Sequence, residues 1–137
     1  MTTNAPSYTA LKNAVDQTRE QHVAAVNAGD AQAATALFTP EAIFLPPRAS
    51  ALQGTAAIRA WFDQVFASFS VQGFGLEPGA IAQYGDAMIE HGNWNAIFQP
   101  RNGSPGLPAA GTYLTVYTRL SDGSVRMVRD TFNGLPG

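Results

Sequence analysis

The chain has 137 residues, a formal charge of −2, 45% apolar and 13% charged residues, and no cysteine. That size and composition fit one compact domain with a real core and exclude a disordered chain. The near-neutral, lysine-poor balance argues against a nucleic-acid surface, and the missing cysteine removes disulfides, thiolate nucleophiles and sulfur-ligated zinc.

Residues 1–6 are polar, with no basic segment leading into an apolar run, so no secretion signal is read there. No apolar stretch approaches the roughly 18 residues that would span a bilayer, and a cytoplasmic location is expected. The first helix is predicted over 7–28, with Leu11, Val15, His22, Ala25 and Val26 on one stripe at spacings of three and four. Gly29 supplies its left-handed stop, and Asp30 caps a second helix predicted over 31–38. Thr39-Pro40 ends that helix, and a short strand follows over 42–45, closed by Pro46-Pro47. Gly54-Thr55 opens a third helix with Thr55 as cap; Ile58, Trp61, Phe62, Val65, Phe66 and Phe69 give it a wide apolar face.

From residue 71 the period changes to two. Strands are predicted over 71–77, where Gly73 and Gly75 suggest a bulge, over 81–84, and over 87–98 after a turn at Gly85-Asp86. In the long strand Met88, Glu90, Gly92, Trp94 and Ala96 share one face, and Ile89, His91, Asn93, Asn95 and Ile97 share the other. A loop over 100–110 precedes a closing hairpin, with residues 134–137 as a tail. Asp122-Gly123 suits a two-residue type I′ turn. That turn places Tyr117 opposite Val128, Thr115 opposite Asp130, Tyr113 opposite Phe132 and Arg119 opposite Arg126. Asp130 then stands on an aromatic face, where a carboxylate is costly unless hydrogen-bonded or neutralised. The hairpin's second face carries Leu114, Val116, Leu120, Val125 and Met127, and is apolar too. Helices can cover only one side of such a sheet, so the outer side is expected to pack on a second copy as a homodimer.

Helices first and strands after define an α+β pattern with helices on one face of a mainly antiparallel sheet. Several segments carry a resemblance: His22-Val-Ala-Ala-Val-Asn-Ala-Gly-Asp30, Glu41-Ala-Ile-Phe-Leu-Pro46, Gly54-Thr-Ala-Ala-Ile58, Ala87-Met-Ile-Glu-His-Gly-Asn-Trp94 and the closing hairpin. In order and spacing the chain, read as a single unit over 1–137, resembles the NTF2-like superfamily, in its ketosteroid isomerase-like, SnoaL-like and DUF4440-like branches. The resemblance implies a cystatin-like cone: a strongly curved, mixed, mostly antiparallel sheet wrapped around three N-terminal helices and open at one end as a pocket. It also implies homodimers through the outer sheet face. Ketosteroid isomerisation itself is disfavoured, because the positions matching that family's two aspartates and its tyrosine are Pro46, Thr115 and His22. The dehydratases of this fold use histidine, aspartate and tyrosines, which this chain has. The epoxide hydrolases need an Asp-Arg-Asp set that adjacent Arg129 and Asp130 match poorly, since neighbours on a strand point to opposite faces.

The candidate catalytic pair is His22, which the cone would point inward, and Asp130. Trp61, Glu90, Trp94, Tyr113, Thr115, Tyr117 and Phe132, with Phe62 and Phe66, are candidate walls for a small hydrophobic, carbonyl-bearing ligand. Either Glu90 or His91 faces that pocket. The resemblance favours the His91 face, whereas Glu90 opposite Asp130 would form a carboxylate pair sharing a proton. No phosphate loop, metal-ligand spacing or Ser-His-Asp set is present, so neither cofactor nor metal is expected. The residues leave open acid–base chemistry, or a non-catalytic binding or dimerisation module.

Overall fold

The computed structural model describes residues 7–135; the polar N-terminal segment and the last two residues of the tail lie outside the described residues. Helix α1, Tyr8–Ala28, starts where the Ser7 hydroxyl accepts the Ala10 amide at 3.1 Å and stops at Gly29, whose φ of 66° reverses the chain. Its buried stripe is Leu11, Val15, Thr18, His22, Ala25 and Val26. Asp30 caps α2, which runs only Ala31–Thr35 rather than to residue 38. Phe38 belongs to the sheet: strand β1, Phe38–Leu45, lies beside the last strand, and the Met127 amide donates to the Leu37 carbonyl at 2.8 Å. Pro40 sits inside β1 where the register shifts between Phe38 and Ile43, so its missing N–H breaks no regular ladder.

Strand β2, Leu52–Gln53, leads into α3, Gly54–Ser68. Thr55 is not the cap; Gln53 holds that position without a side-chain bond, and Gly54, with φ 85°, swings the chain into the helix. The two strands expected over 71–84 are one, β3, Phe69–Tyr84, bent by irregularities between Gln72 and Gly75 and between Pro78 and Ala80. Bulges of this kind bend a strand and sharpen the sheet's twist. Strands β4, Ala87–Pro100, β5, Leu107–Arg119, and β6, Val125–Phe132, complete the sheet in the order β2-β1-β6-β5-β4-β3, parallel only between β1 and β6. The sheet is curved and unclosed, with the helices against its concave side: the α+β cone expected.

The β5–β6 hairpin reaches its expected pairing by another route. The turn is not type I′: the Gly123 amide donates to the Leu120 carbonyl, Gly123 has φ 88°, and Asp122 has no positive φ. This is a three-residue loop, a type I turn followed by a left-handed glycine. It puts Arg119 opposite Val125 and Arg126 opposite Thr118, so the two arginines do not face one another. Tyr117 pairs with Met127, not Val128, and a bulge after it restores Thr115 to Asp130 and Tyr113 to Phe132. The bulge also turns Val125 and Met127 into the core, at 3% and 2% exposure. The outer face of the hairpin is therefore less apolar than the alternation implied, with Leu114 and Val116 left there among threonines and arginines.

Gly92, like Gly111 and Gly134, is demanded by close approach. A Cβ on Gly92 would collide with the Glu77 carbonyl oxygen and stand 2.8 Å from the Tyr113 hydroxyl. Tyr113 lies opposite Gly92 and reaches across it along the concave face. Gly92→Ala should lower the urea-unfolding free energy by about 2 kcal/mol, the cost of overpacking a tight core. An unchanged value would mean that β3 and Tyr113 can give way.

Candidate functional site

Strand pairing lays out a lattice on the concave side of β4, β5 and β6. Glu90 lies opposite Thr115, and Thr115 opposite Asp130; on either side stand the rows Met88, Tyr117, Met127 and Gly92, Tyr113, Phe132. The alternation of β4 thus carries Glu90 inward with Met88, Trp94 and Ala96, and leaves His91 exposed outside. The face favoured by the resemblance is the wrong one of the two.

Glu90 is fully buried. An unpaired carboxylate there would be very costly, and Arg19 of α1 answers it with two hydrogen bonds, Nε to Oε2 at 3.1 Å and Nη2 to Oε1 at 2.5 Å. The Tyr113 hydroxyl donates to Oε2 at 2.6 Å, and Asp16 holds the far side of the guanidinium at 2.9 Å. Burial works against charge on Arg19, but Glu90 more than offsets it and the guanidinium is held firmly protonated. Burial, then the Glu90 charge, pushes the Tyr113 phenol far up; burial, then Glu90 and Asp130, does the same to Tyr117. Arg19 was not among the residues singled out from sequence. Its position was the available signal, four residues after Val15 and three before His22 on the buried stripe.

Asp130 is held differently. Its Oδ1 accepts the Thr115 hydroxyl at 2.7 Å. Burial raises its pKa to about 7 against the Thr115 bond, with the Glu90 charge adding to the rise and the Thr131 amide opposing it. The two carboxylates do not share a proton; Thr115 stands between them in the sheet. His22 is buried with its ring edge-on to Phe62 and Phe74, at centroid distances of 6.4 and 5.7 Å. Burial alone lowers its pKa to about 4, and its Nδ1 has no hydrogen-bond partner. No hydrogen bond joins His22 to Asp130, whose side-chain bond goes to Thr115.

His22 and Asp130 nevertheless line one cavity, of about 70 Å³, with Trp61, Phe62, Phe66, Trp94, Tyr113, Thr115, Tyr117 and Phe132. Glu90 does not line it; it lies behind Tyr113 and Thr115, committed to Arg19. Phe44, Phe74, Leu76 and Phe98, not singled out in the sequence, and Met127, expected on the hairpin's outer face, also form its walls. The rings pack on one another: Phe44 meets Trp61 at 4.9 Å and Trp94 meets Phe132 at 5.5 Å. Trp94 is further fixed by its indole N–H, which donates to the Asn133 carbonyl at 2.7 Å. The free space suits a few waters or a small fragment and falls well below the roughly 300–1,000 Å³ of drug-sized pockets. A wider depression of about 550 Å³ elsewhere is lined by His91, Asn93, Thr112, Thr131 and Asn133. Its polar groups are largely spent on the protein itself, Asn133 on Thr112 and Thr131 on the Leu45 carbonyl.

The profile of the SnoaL-like domain matches residues 20–128, so the chain belongs to that family of the NTF2-like superfamily. Solved structures carry the same fold at low identity. A ketosteroid isomerase-like protein from Erwinia carotovora atroseptica superposes with a TM-score of 0.84 at 17% identity, covering 96% of this chain and 100% of that one. An NTF2-like superfamily protein from Salmonella enterica serovar Typhimurium does so with 0.84 at 20%, covering 96% and 95%. A proposed dehydratase of the NTF2-like family from Streptomyces avermitilis does so with 0.77 at 16%, covering 94% and 98%. No curated protein matches significantly in sequence. Among the described residues, no helix is long and apolar enough to cross a membrane.

The two titrations oppose each other. Asp130, raised from 3.8 to about 7, contributes stability that is complete below pH 4 and lost as pH rises toward 7. His22, lowered from 6.5 to about 4, contributes stability that is complete above pH 6.5 and lost as pH falls toward 4. Between about pH 4.5 and 6.5 the two slopes, each about 1.4 kcal/mol per pH unit, cancel. In urea unfolding across that window, Asp130→Asn should gain stability relative to wild type as pH rises, and His22→Gln should lose it. Parallel curves for the three proteins would rule out the burial-driven shifts.

Proposed function

We propose that the cavity is a small-molecule site for cofactor-free acid–base chemistry on an uncharged, hydrophobic, carbonyl-bearing ligand. The observation that carries this reading is Asp130: a buried carboxyl bordering the cavity, with a pKa of about 7. A group poised there at neutral pH can both give and take a proton, the condition for general acid–base catalysis. Asp130 would donate to a carbonyl or hydroxyl oxygen, or withdraw a proton from the carbon beside a carbonyl, while Thr115 keeps its carboxyl oriented. His22, neutral at this pH and with Nδ1 unpartnered, would hydrogen-bond the ligand's polar group rather than serve as the base. Aromatic walls would hold a flat apolar body and keep water out. Proteins of the same fold that are named ketosteroid isomerase-like or dehydratase support chemistry of this kind.

The small free volume favours a second reading. The rings fill most of the interior, as they would in a binding or homodimerisation module without chemistry. Leu114 and Ile97, 42% and 43% exposed on the convex side, would then meet a second copy.

A thermal-shift screen of steroids, polyketide-like ketones and terpenoids separates the two. A compound at 100 times its Kd adds about 2.7 kcal/mol of stability, a rise of several degrees. At least one compound should produce it in wild type, with a smaller rise in His22→Ala and Asp130→Asn. Bound ketones should also exchange α-hydrogen for deuterium in wild type and not in Asp130→Asn. No stabilising compound, together with a dimer that Leu114→Glu dissociates in sedimentation, would decide for the module.

A further inference from the structure

We propose that Arg19, Glu90 and Tyr113 form a positioning cluster for Asp130: an ion-paired carboxylate, locked inside the sheet, that stands in one row with Asp130 across Thr115 and keeps it available to the cavity as a proton donor. This rests on the acid–base reading of the cavity and adds the residues that set its reactive group.

The cluster is built for permanence. Glu90 has no exposed surface and accepts three hydrogen bonds, two from a guanidinium and one from a phenol. Stability alone is a poor reason for it, because well-packed apolar residues commonly replace a buried ion pair at no cost in stability. The arrangement also constrains other positions. Tyr113 reaches Glu90 only across the bare backbone of Gly92, and the Arg19 side chain, 11% exposed, is tied down by Asp16.

Its placement gives it an effect on Asp130. Glu90, Thr115 and Asp130 occupy one row on three adjacent strands. Two strand spacings of about 4.8 Å put the two carboxyl-bearing backbones roughly 10 Å apart. Over that distance at an interior dielectric of about 20, one charge moves another group's titration by about one pH unit. The Glu90 charge raises the Asp130 pKa, and with Asp16 bound to the far side of Arg19 the chain of three groups carries one net negative charge. Among the described residues, nothing else facing Asp130 supplies a countercharge. His22 of α1 is neutral, Tyr113 and Tyr117 of β5 are held protonated, β1 presents Phe44 opposite Asp130, and α3 presents Trp61 and Phe62 to the cavity.

The two carboxyls therefore divide the work. Glu90 is saturated with donors and away from the cavity. Asp130 borders the cavity with a single side-chain bond, and is the one that exchanges its proton.

The test is a carbon-13 NMR titration of the aspartate carboxyls without any ligand, with Asp130→Asn assigning the signal. In Glu90→Gln the Asp130 midpoint should fall by about one pH unit, since the negative charge in its row is gone and Arg19 keeps only Asp16. In Arg19→Gln, Glu90 loses its partner, and potentiometric titration between pH 5 and 8 should show one proton more than wild type releases. A midpoint within 0.3 unit of wild type in folded Glu90→Gln would overturn the proposal. So would failure of both variants to fold, which would make the cluster purely structural. Because no ligand is used, a cavity that binds nothing would sink the functional reading and leave this result standing.

Discussion

Strand alternation carries a carboxylate into the concave side of the sheet, and the rest of the molecule is arranged around satisfying it. Glu90 follows Met88 and precedes Trp94 on the inner face of β4, so it cannot leave without exposing both. Its partner has to come from the layer above, and Arg19 of α1 supplies it. That bond registers the helix against the sheet along the chain as well as across it, because Arg19 sits between Val15 and His22 on the stripe that packs there. His22 is thereby carried to the cavity, between Phe62 and Phe74. The same demand reaches β3 through Gly92, whose missing side chain gives Tyr113 its path to Glu90. Helix placement, a bare glycine and the position of the imidazole all trace to one buried charge.

Much of this was legible in the residues. The stripe of α1, the Gly29 stop, the alternation of β4 and the confrontation of Thr115 with Asp130 follow from spacing alone. The confrontation was reached through two compensating departures. The turn is one residue longer than Asp122-Gly123 suggests, and the bulge facing Tyr117 takes that residue back. Nothing in the local composition around Val128 marks a bulge. Its consequence is long-range: Val125 and Met127 turn into the core, where Phe38 pairs with Met127. The early end of α2 has the same origin, since Phe38 is worth more beside β6 than in a last helical turn.

The site was less legible than the fold, for a reason of chemistry. Charged residues are read as surface unless something shows their partner, and the partners here are 71 residues apart in sequence. Arg19 has the spacing of a buried residue and the character of an exposed one. On β4, apolar residues flank both Glu90 and His91, so hydrophobic pattern alone could not choose between them; only the pairing with β5 does.

Charge in this interior is strongly asymmetric. Its paired charges sit behind the cavity wall, Asp16 and Glu90 both bound to Arg19 in a chain that keeps one net negative charge. The groups that front the cavity are kept neutral or near neutrality by burial: His22 from the helix, the two tyrosines and Asp130 from the sheet. An anionic ligand would find no counter-ion among the described wall residues and would face Asp130, the wall group that ionises most readily. It would lose its hydration without recovering that energy from the protein. An uncharged molecule loses little on entry and gains apolar burial against the rings. Discrimination by charge at the proposed site would thus come from where the ion pair is hidden, whether or not a proton is transferred.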